Sequence, residues 1–366
     1  MAVANEVEKR HAKKAESPNG RPQPSSDGST ERQRLRMMML IRRFEERTYK
    51  EYATPRERDD GTKEMKIGGF CHLYSGQEAI AVGCAALFDK DRDYLINGYR
   101  CHGHSLAHGM SPRAGMAELL GKVTGCSKGK GGSMHFFDRE VGNMGGHGIV
   151  GGQIPLGVGL AFAQKYKKTG GVTFTFMGDG AINQGTHNES LNLASLYKLP
   201  CIFVVENNGV AMGTQVERSS AEKDLAQRGC GYAMPHWNID GNDIDTVMHE
   251  FGKAMERARQ GEGPSYIVAN TYRFRGHSMS DPMKYRKTAE GKWRPEVEEA
   301  RQRDPILLYQ HRLMEKGLIN EQQIEAIEAE VAEEIDTATR QADADPFPAL
   351  EDRFNDVLAE QYPLEK

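Results

Sequence analysis

The sequence has no apolar run long enough to cross a bilayer. The longest candidates, such as 200–205, are strand-sized, whereas a spanning helix needs about 20 apolar residues. It has only six cysteines, at 71, 84, 101, 126, 201 and 230, and no C-x-x-C pair among them. That spacing argues against a zinc site and against a disulfide framework, and favours reduced thiols. Charge of a single sign is also lacking. The formal net charge is −4 over 366 residues with both signs mixed along the chain, so there is no basic footprint for nucleic acid. Residues 1–16 carry Glu6, Glu8 and Glu16 and no apolar core segment, unlike a signal peptide or an acid-poor transit peptide. A soluble, cytoplasmic protein is the expectation, and a processed mitochondrial-matrix form is the weaker alternative.

What is present is a chain that changes character several times. The segment 17–30, SPNGRPQPSSDGST, offers almost nothing to bury, and residues 1–29 are expected to be a disordered tail. Thr30-Glu31-Arg32-Gln33 has capping-box spacing ahead of Leu35, Met38 and Met39, which predicts a helix running to about Tyr52. A second apolar helix should open at Gly76-Gln77-Glu78-Ala79 and reach about Leu87. A glycine-dense stretch without repeats covers 121–159. From Val172 the text alternates: a β-branched and aromatic strand (172–177), a helix (184–197), a strand (200–205), a helix (245–259) and a strand (264–270). Such alternation predicts an α/β fold, a parallel sheet with helices on both faces. Asn320 should cap a helix with Ile324, Ile327, Val331 and Ile335 on one face. The expected organisation is therefore a tail (1–29) and one domain (30–366), begun by a helical segment and closed by helices from about residue 300.

Two strands end in polar, glycine-bearing text: Gly178-Asp179-Gly180 and Asn207-Asn208-Gly209. Singly, each reads as a turn. The segment between them, positions 181 to 206, is 26 residues, room for one helix and one return strand. Both clusters then fall side by side at the carboxyl edge of a parallel sheet, where ligands bind in such folds. The glycines let backbone approach a ligand, and a helix start presents free N–H groups to an anion. Asp179 and Asn208 add a carboxylate and an amide oxygen, donors that suit Mg²⁺ completed by phosphate oxygens. Two rival phosphate motifs fail on spacing. The run 125–131, GCSKGKG, departs from G-x-x-x-x-G-K-[ST], and Gly157-Val158-Gly159 has no third glycine for a dinucleotide fingerprint.

These residues carry a specific resemblance. The stretch 177–208, MGDGAINQGTHNESLNLASLYKLPCIFVVENN, resembles the thiamine-diphosphate and Mg²⁺ motif of alpha subunits of heterotetrameric 2-oxo acid dehydrogenases. The blocks at 69–79, 98–104, 128–135, 145–157 and 271–282 continue the likeness in the family's order, most closely its pyruvate-using members, over about 35–350. The resemblance implies a thiamine-diphosphate-binding fold with thiamine diphosphate and Mg²⁺ as cofactors. By it, Asp179, Asn208 and the Val210 carbonyl hold the metal, although the family usually has an aromatic residue at 210. Gly178, Gly180 and Ala181, with Tyr99 and Arg100, would meet the diphosphate, and Gly148 and Val150 the aminopyrimidine and the bend of the cofactor. His277 and His72 would stand at the reacting end. Ser278 lies in the loop phosphorylated in mitochondrial relatives and would order it.

The implied activity is decarboxylation of pyruvate and reductive acetylation of the lipoyl group on the dihydrolipoyl acetyltransferase core. The rival substrates within the family are branched-chain 2-oxo acids and acetoin. The glutamate that activates the cofactor would belong to a beta subunit, in an α2β2 assembly that includes the apolar stretch 142–163. A noncatalytic scaffold subunit is the alternative of another class, and the presence of Asp179, Asn208 and His277 speaks against it.

Overall fold

In the computed structural model, which describes residues 28–58 and 60–357, six strands form one wholly parallel sheet. In chain order they are β1 (Tyr94–Gly98), β2 (Asn143–His147), β3 (Thr173–Gly178), β4 (Cys201–Asn207), β5 (His236–Asp240) and β6 (Ser265–Asn270). Across the sheet they run β2-β1-β3-β4-β6-β5. The chain first builds outward from β1 to β2, then returns to the other side of β1 with β3. The order therefore reverses between β1 and β3, which is the switch point where open α/β sheets leave a crevice.

The alternating strand–helix text produces this sheet because its strands are buried on both faces. In β4, Cys201, Phe203 and Val205 pack toward one layer, and Ile202 and Val204 toward the other. Continuous apolar strands of this kind need helices on each side. The α-helices of six or more residues are α1 (Ser29–Ala53), α2 (Glu78–Ala85), α3 (His102–Ala107), α4 (Pro112–Leu119), α5 (Gln153–Lys167), α6 (Gly185–Leu196), α7 (Ile244–Arg259), α8 (Pro295–Gln302), α9 (Pro305–Glu315) and α10 (Glu321–Ala344). Helices α5 and α6 cover one face of the sheet, and α2 and α7 the other. A third apolar cluster joins α1 to α4, α9 and α10, so the C-terminal helices close over the first one.

The expected tail falls outside the described residues, apart from Gly28 and Ser29. Helix α1 begins at Ser29, with Gly28 at its N-cap in a left-handed conformation (φ 70°). The capping box expected at Thr30 is not what starts the helix, and Thr30 lies in its first turn. The start is fixed instead by tertiary contact: the Arg32 guanidinium donates to the Leu318 carbonyl at 2.7 Å. Asn320 does cap α10, in a capping box with Gln323, and Val331 and Ile335 are buried beneath it.

The rejected phosphate-like run at 125–131 has a structural explanation. The Glu118 carboxylate, on α4 and buried, accepts the backbone N–H groups of Ser127, Gly129, Gly131 and Gly132 at 2.7–3.0 Å. The loop is an anion cradle filled by the protein's own carboxylate. Glu118→Ala leaves four donors without that acceptor, and hydrogen bonds to a charged group contribute about 1.5–3 kcal/mol each. We expect a loss of at least about 3 kcal/mol in urea unfolding; a loss below about 1 kcal/mol would contradict this role.

Candidate functional site

The carboxyl ends of β1, β3 and β4 and the loop after β6 meet around one cavity of about 760 Å³. Strand β1 delivers Asn97, Gly98, Tyr99 and Arg100, and β3 delivers Gly178, Asp179 and Gly180. Every residue singled out from the sequence lines this cavity except Asn208. Asn208 stands behind the lining, its backbone N–H directed at the Asp179 carboxylate. The registers of β1 with β3 and of β3 with β4 bring these chain-distant ends to one edge.

Asp179 is 4 % exposed. Burial raises its pKa above the usual carboxylate value, and its own N–H, Arg273, the Asn208 N–H and Arg100 pull it back. A carboxylate so placed lacks a full counter-charge. Asn208 donates from Nδ2 to Gln77 Oε1 at 3.2 Å, which leaves its Oδ1 buried and without a protein partner. Val210 follows the turn at Gly209 and opens a two-residue ladder with Thr214 and Gln215. Its carbonyl has only a long contact, 3.4 Å, from Arg273 Nη1. A Cβ on Gly180 would lie 2.6 Å from that of Ala211, so glycine there is what lets the two loops approach. The oxygens of Asp179, Asn208 and Val210 form a hard donor set suited to Mg²⁺. Among the described residues no group of three His, Cys, Asp or Glu could hold a metal, so a softer site of the zinc type has no counterpart.

Two guanidiniums complete the electrostatics. Arg100 donates to the carbonyls of Leu73 (2.6 Å) and His277 (2.7 Å), and burial, followed by Arg273, pushes its pKa down to about 10. Arg273, 1 % exposed, donates to the Arg275 carbonyl and to Tyr285 Oη at 2.8 Å. Among the described residues neither forms an ion pair with a carboxylate. Asn97 and Gln153 also belong to the lining, and both side-chain polar atoms of Asn97 and Oε1 of Gln153 are buried without a partner. Buried polar atoms without partners cost free energy, and here they share one cavity with uncompensated positive charge. The observation fits a polyanionic ligand accompanied by a cation.

Within the cavity lining, His72, Tyr99 and His277 form an aromatic cluster, with ring centres 4.4–5.6 Å apart. Desolvation, then Arg100, pushes the His72 pKa down to about 2; the same causes take His277 to about 4. Both rings are neutral at pH 7. The His277 loop is braced by Asp281, which accepts the His277 N–H and the Tyr285 hydroxyl, each at 2.7 Å. The Ser278 hydroxyl pairs with that of Ser280 at 3.0 Å, a contact within the loop.

Sequence reading missed Arg273, Glu206 and Asp281. Arg273 and Asp281 sit in the same block as His277, and Glu206 directly precedes the two asparagines, so proximity in sequence was the available signal. Glu206 also lines the cavity, but its carboxylate accepts the Tyr74 hydroxyl and lies 2.9 Å from His104 Nε2.

Fold and site together define a parallel α/β protein whose cavity at the strand-order switch point suits a polyanionic ligand accompanied by a cation. Residues 36–351 match the dehydrogenase E1 component family, and the chain belongs to it. It is 46% identical over 324 residues to the pyruvate dehydrogenase E1 component subunit alpha of Rhizobium meliloti, covering 88% of each chain. It is 43% identical over 328 residues to that of Zymomonas mobilis, covering 89% of this chain and 88% of the relative. It is 45% identical over 304 residues to the mitochondrial protein of the same description from Dictyostelium discoideum, covering 82% and 78%.

The depressed histidines have a consequence for stability. Burial holds His72, His108 and His187 at about 2, 3 and 4, against about 6.5 in an unfolded chain. Between pH 6.5 and 4 the unfolded chain therefore binds protons that the folded one refuses. Their contribution is whole above pH 6.5 and is lost as pH falls through that window, at about 1.4 kcal/mol per pH unit for each such histidine. Urea midpoints should drop steeply from pH 7 to 5. A flat profile there would contradict the neutral assignment.

Proposed function

We propose that this chain is the alpha subunit of a pyruvate dehydrogenase component. It decarboxylates pyruvate and reductively acetylates the lipoyl group of an acetyltransferase, with thiamine diphosphate and Mg²⁺ as cofactors. The observation that carries the reading is the cavity at the β1/β3 switch point, where hard oxygen donors lie beside two guanidiniums that form no ion pair among the described residues. The relatives' descriptions favour pyruvate over branched-chain 2-oxo acids or acetoin. The bacterial relatives favour a cytoplasmic location, and no helix of the described residues is long and apolar enough to cross a membrane.

Thiamine diphosphate, when bound, supplies the carbon nucleophile for attack on a 2-oxo group. The protein's own residues do the rest. Asp179, Asn208 Oδ1 and the Val210 carbonyl hold Mg²⁺. Arg100 and Arg273 balance the remaining diphosphate charge, and Gly178, Gly180 and Ala181 admit it to the backbone. Tyr99 joins that end, and Gly148 and Val150 lie along the cofactor's other part. His72 and His277, uncharged at working pH, offer hydrogen bonds to the reacting end. Ser278 orders the loop that carries His277.

Among the described residues, no glutamate in the cavity lining is free to engage the cofactor ring. Glu206, the one glutamate in the cavity lining, is already engaged by Tyr74 and His104. This supports a beta subunit completing the site. Leu156, Phe162 and Tyr166 on α5 and Leu193 and Leu196 on α6 are 43–78 % exposed, which supports a docking surface for that subunit. Apolar side chains of this size clustered on one face mark a protein interface.

Asp179→Ala should abolish Mg²⁺-dependent cofactor binding in calorimetry. Asn208→Ala should weaken binding without unfolding the chain, and wild-type affinity in both would remove the metal assignment. His277→Ala should fold and bind cofactor but lose about 10²-fold or more in turnover; a loss of only a few-fold would make it a bystander. With an artificial electron acceptor, the isolated chain should not turn over pyruvate. Adding the beta subunit should give an α2β2 mass and activity faster with pyruvate than with 2-oxoisovalerate or acetoin. Full turnover by the chain alone would overturn the subunit reading.

A further inference from the structure

The segment that carries His72 belongs to no strand or helix, yet its backbone is fixed at each step by side chains. The His72 N–H donates to Ser133 Oγ at 3.1 Å, the Leu73 carbonyl accepts from Arg100 Nη1, and the Tyr74 N–H donates to Glu45 Oε1 at 2.8 Å. Two of these anchors are joined. His102, at the start of α3, places Nδ1 3.0 Å from the Glu45 carboxylate, and Nε2 2.9 Å from Ser133 Oγ and 3.1 Å from the Ser133 carbonyl. A carboxylate only accepts, so Nδ1 carries a hydrogen and the ring is oriented from α1. Phe136 stacks on that ring at 4.7 Å and Phe44 meets its edge, which leaves it one seating.

The order serine, histidine, glutamate is that of a nucleophilic triad. Burial excludes that use. Glu45 and His102 are wholly buried, Ser133 is 3 % exposed, and Ser133 is absent from the cavity lining. Its oxygen is already committed to the His72 N–H.

We infer that Glu45, His102 and Ser133 form a buried positioning relay that sets where His72 stands in the cavity. None of the three touches the cavity; each acts through the backbone of residues 72–74. The relay begins on the middle of α1, so the helix packed against the C-terminal helices also fixes a group at the site. Its catalytic consequence rests on the proposal that His72 faces the reacting end.

The test uses the chain assembled with its partner subunit. Ser133→Ala removes the acceptor of the His72 N–H and breaks the relay at its last member. Displacement of about 1 Å at a reacting group costs about 10²-fold, so kcat with pyruvate should fall about 10- to 100-fold, with cofactor affinity and KM within about twofold. Added to His72→Ala, the same change should cost almost nothing more. A crystal structure of Ser133→Ala should show the His72 ring displaced. Independent, multiplicative losses, or an unmoved ring, would overturn the relay. His72→Ala with wild-type turnover would instead overturn the role of His72, and the ring position in Ser133→Ala would still decide the relay. Should Ser133→Ala fail to assemble, Glu45→Gln, of nearly the same shape but uncharged, must show the same dependence on His72.

Discussion

A carboxylate held out of water without a full counter-charge organises the site. Asp179 sits at the end of β3, between β1 and β4, and burial disfavours its charged form while two guanidiniums and two backbone N–H groups favour it. Such a group is costly unless something positive arrives. Around it the protein collects oxygen atoms that lack partners, and beside them two arginines that form no ion pair among the described residues. The arrangement is unbalanced in a way that a cation and a polyphosphate together would correct. That imbalance belongs to the parallel sheet, since only a reversal of strand order brings the ends of β1 and β3 together around a gap.

The helices far from the edge serve the same geometry. Arg42 on α1 chelates Glu78 at 2.6 and 3.0 Å and reaches Asp304 before α9, tying the start of α2 to the C-terminal helices. The Glu78 carboxylate in turn accepts the Gly76 N–H, next to the segment that carries His72. A largely buried ion pair is weak evidence for stability, and its use here is to set register. Here it fixes the turn that feeds one side of the cavity. The loop 125–132 shows the same economy, because an internal carboxylate occupies what would otherwise be an anion site.

How much of this was legible follows from what each residue has to say locally. Strands β3, β4 and β6 are β-branched and aromatic, and their text alone placed Asp179 beside Asn208. Strands β1, β2 and β5 passed unread. Asn143–His147 is glycine and polar text with no strand propensity, and becomes a strand only because β1 offers a partner edge. Thr30 was misread as a cap because a local pattern competed with a tertiary contact, Arg32 to Leu318, that no local window contains. Arg273 was missed for a related reason: a lone arginine after a strand acquires meaning only when the fold sets it opposite Arg100 and Asp179. The resemblance to known subunits supplied candidates for the cofactor's other end that spacing could not. Gly148 and Val150 line the cavity, but their local text is only an apolar turn.

On the proposed function, the β1/β3 edge holds the diphosphate end of the cofactor through a metal bound by Asp179, Asn208 and Val210. A crystal structure of the assembled enzyme with Mg²⁺ and thiamine diphosphate tests it directly. The expected result is Mg²⁺ within about 2.0–2.1 Å of an Asp179 carboxylate oxygen, Asn208 Oδ1 and the Val210 carbonyl, with Arg273 no longer on that carbonyl. The diphosphate should lie between the metal and Arg100. A metal held by other residues, or a diphosphate bound away from the two arginines, would contradict it.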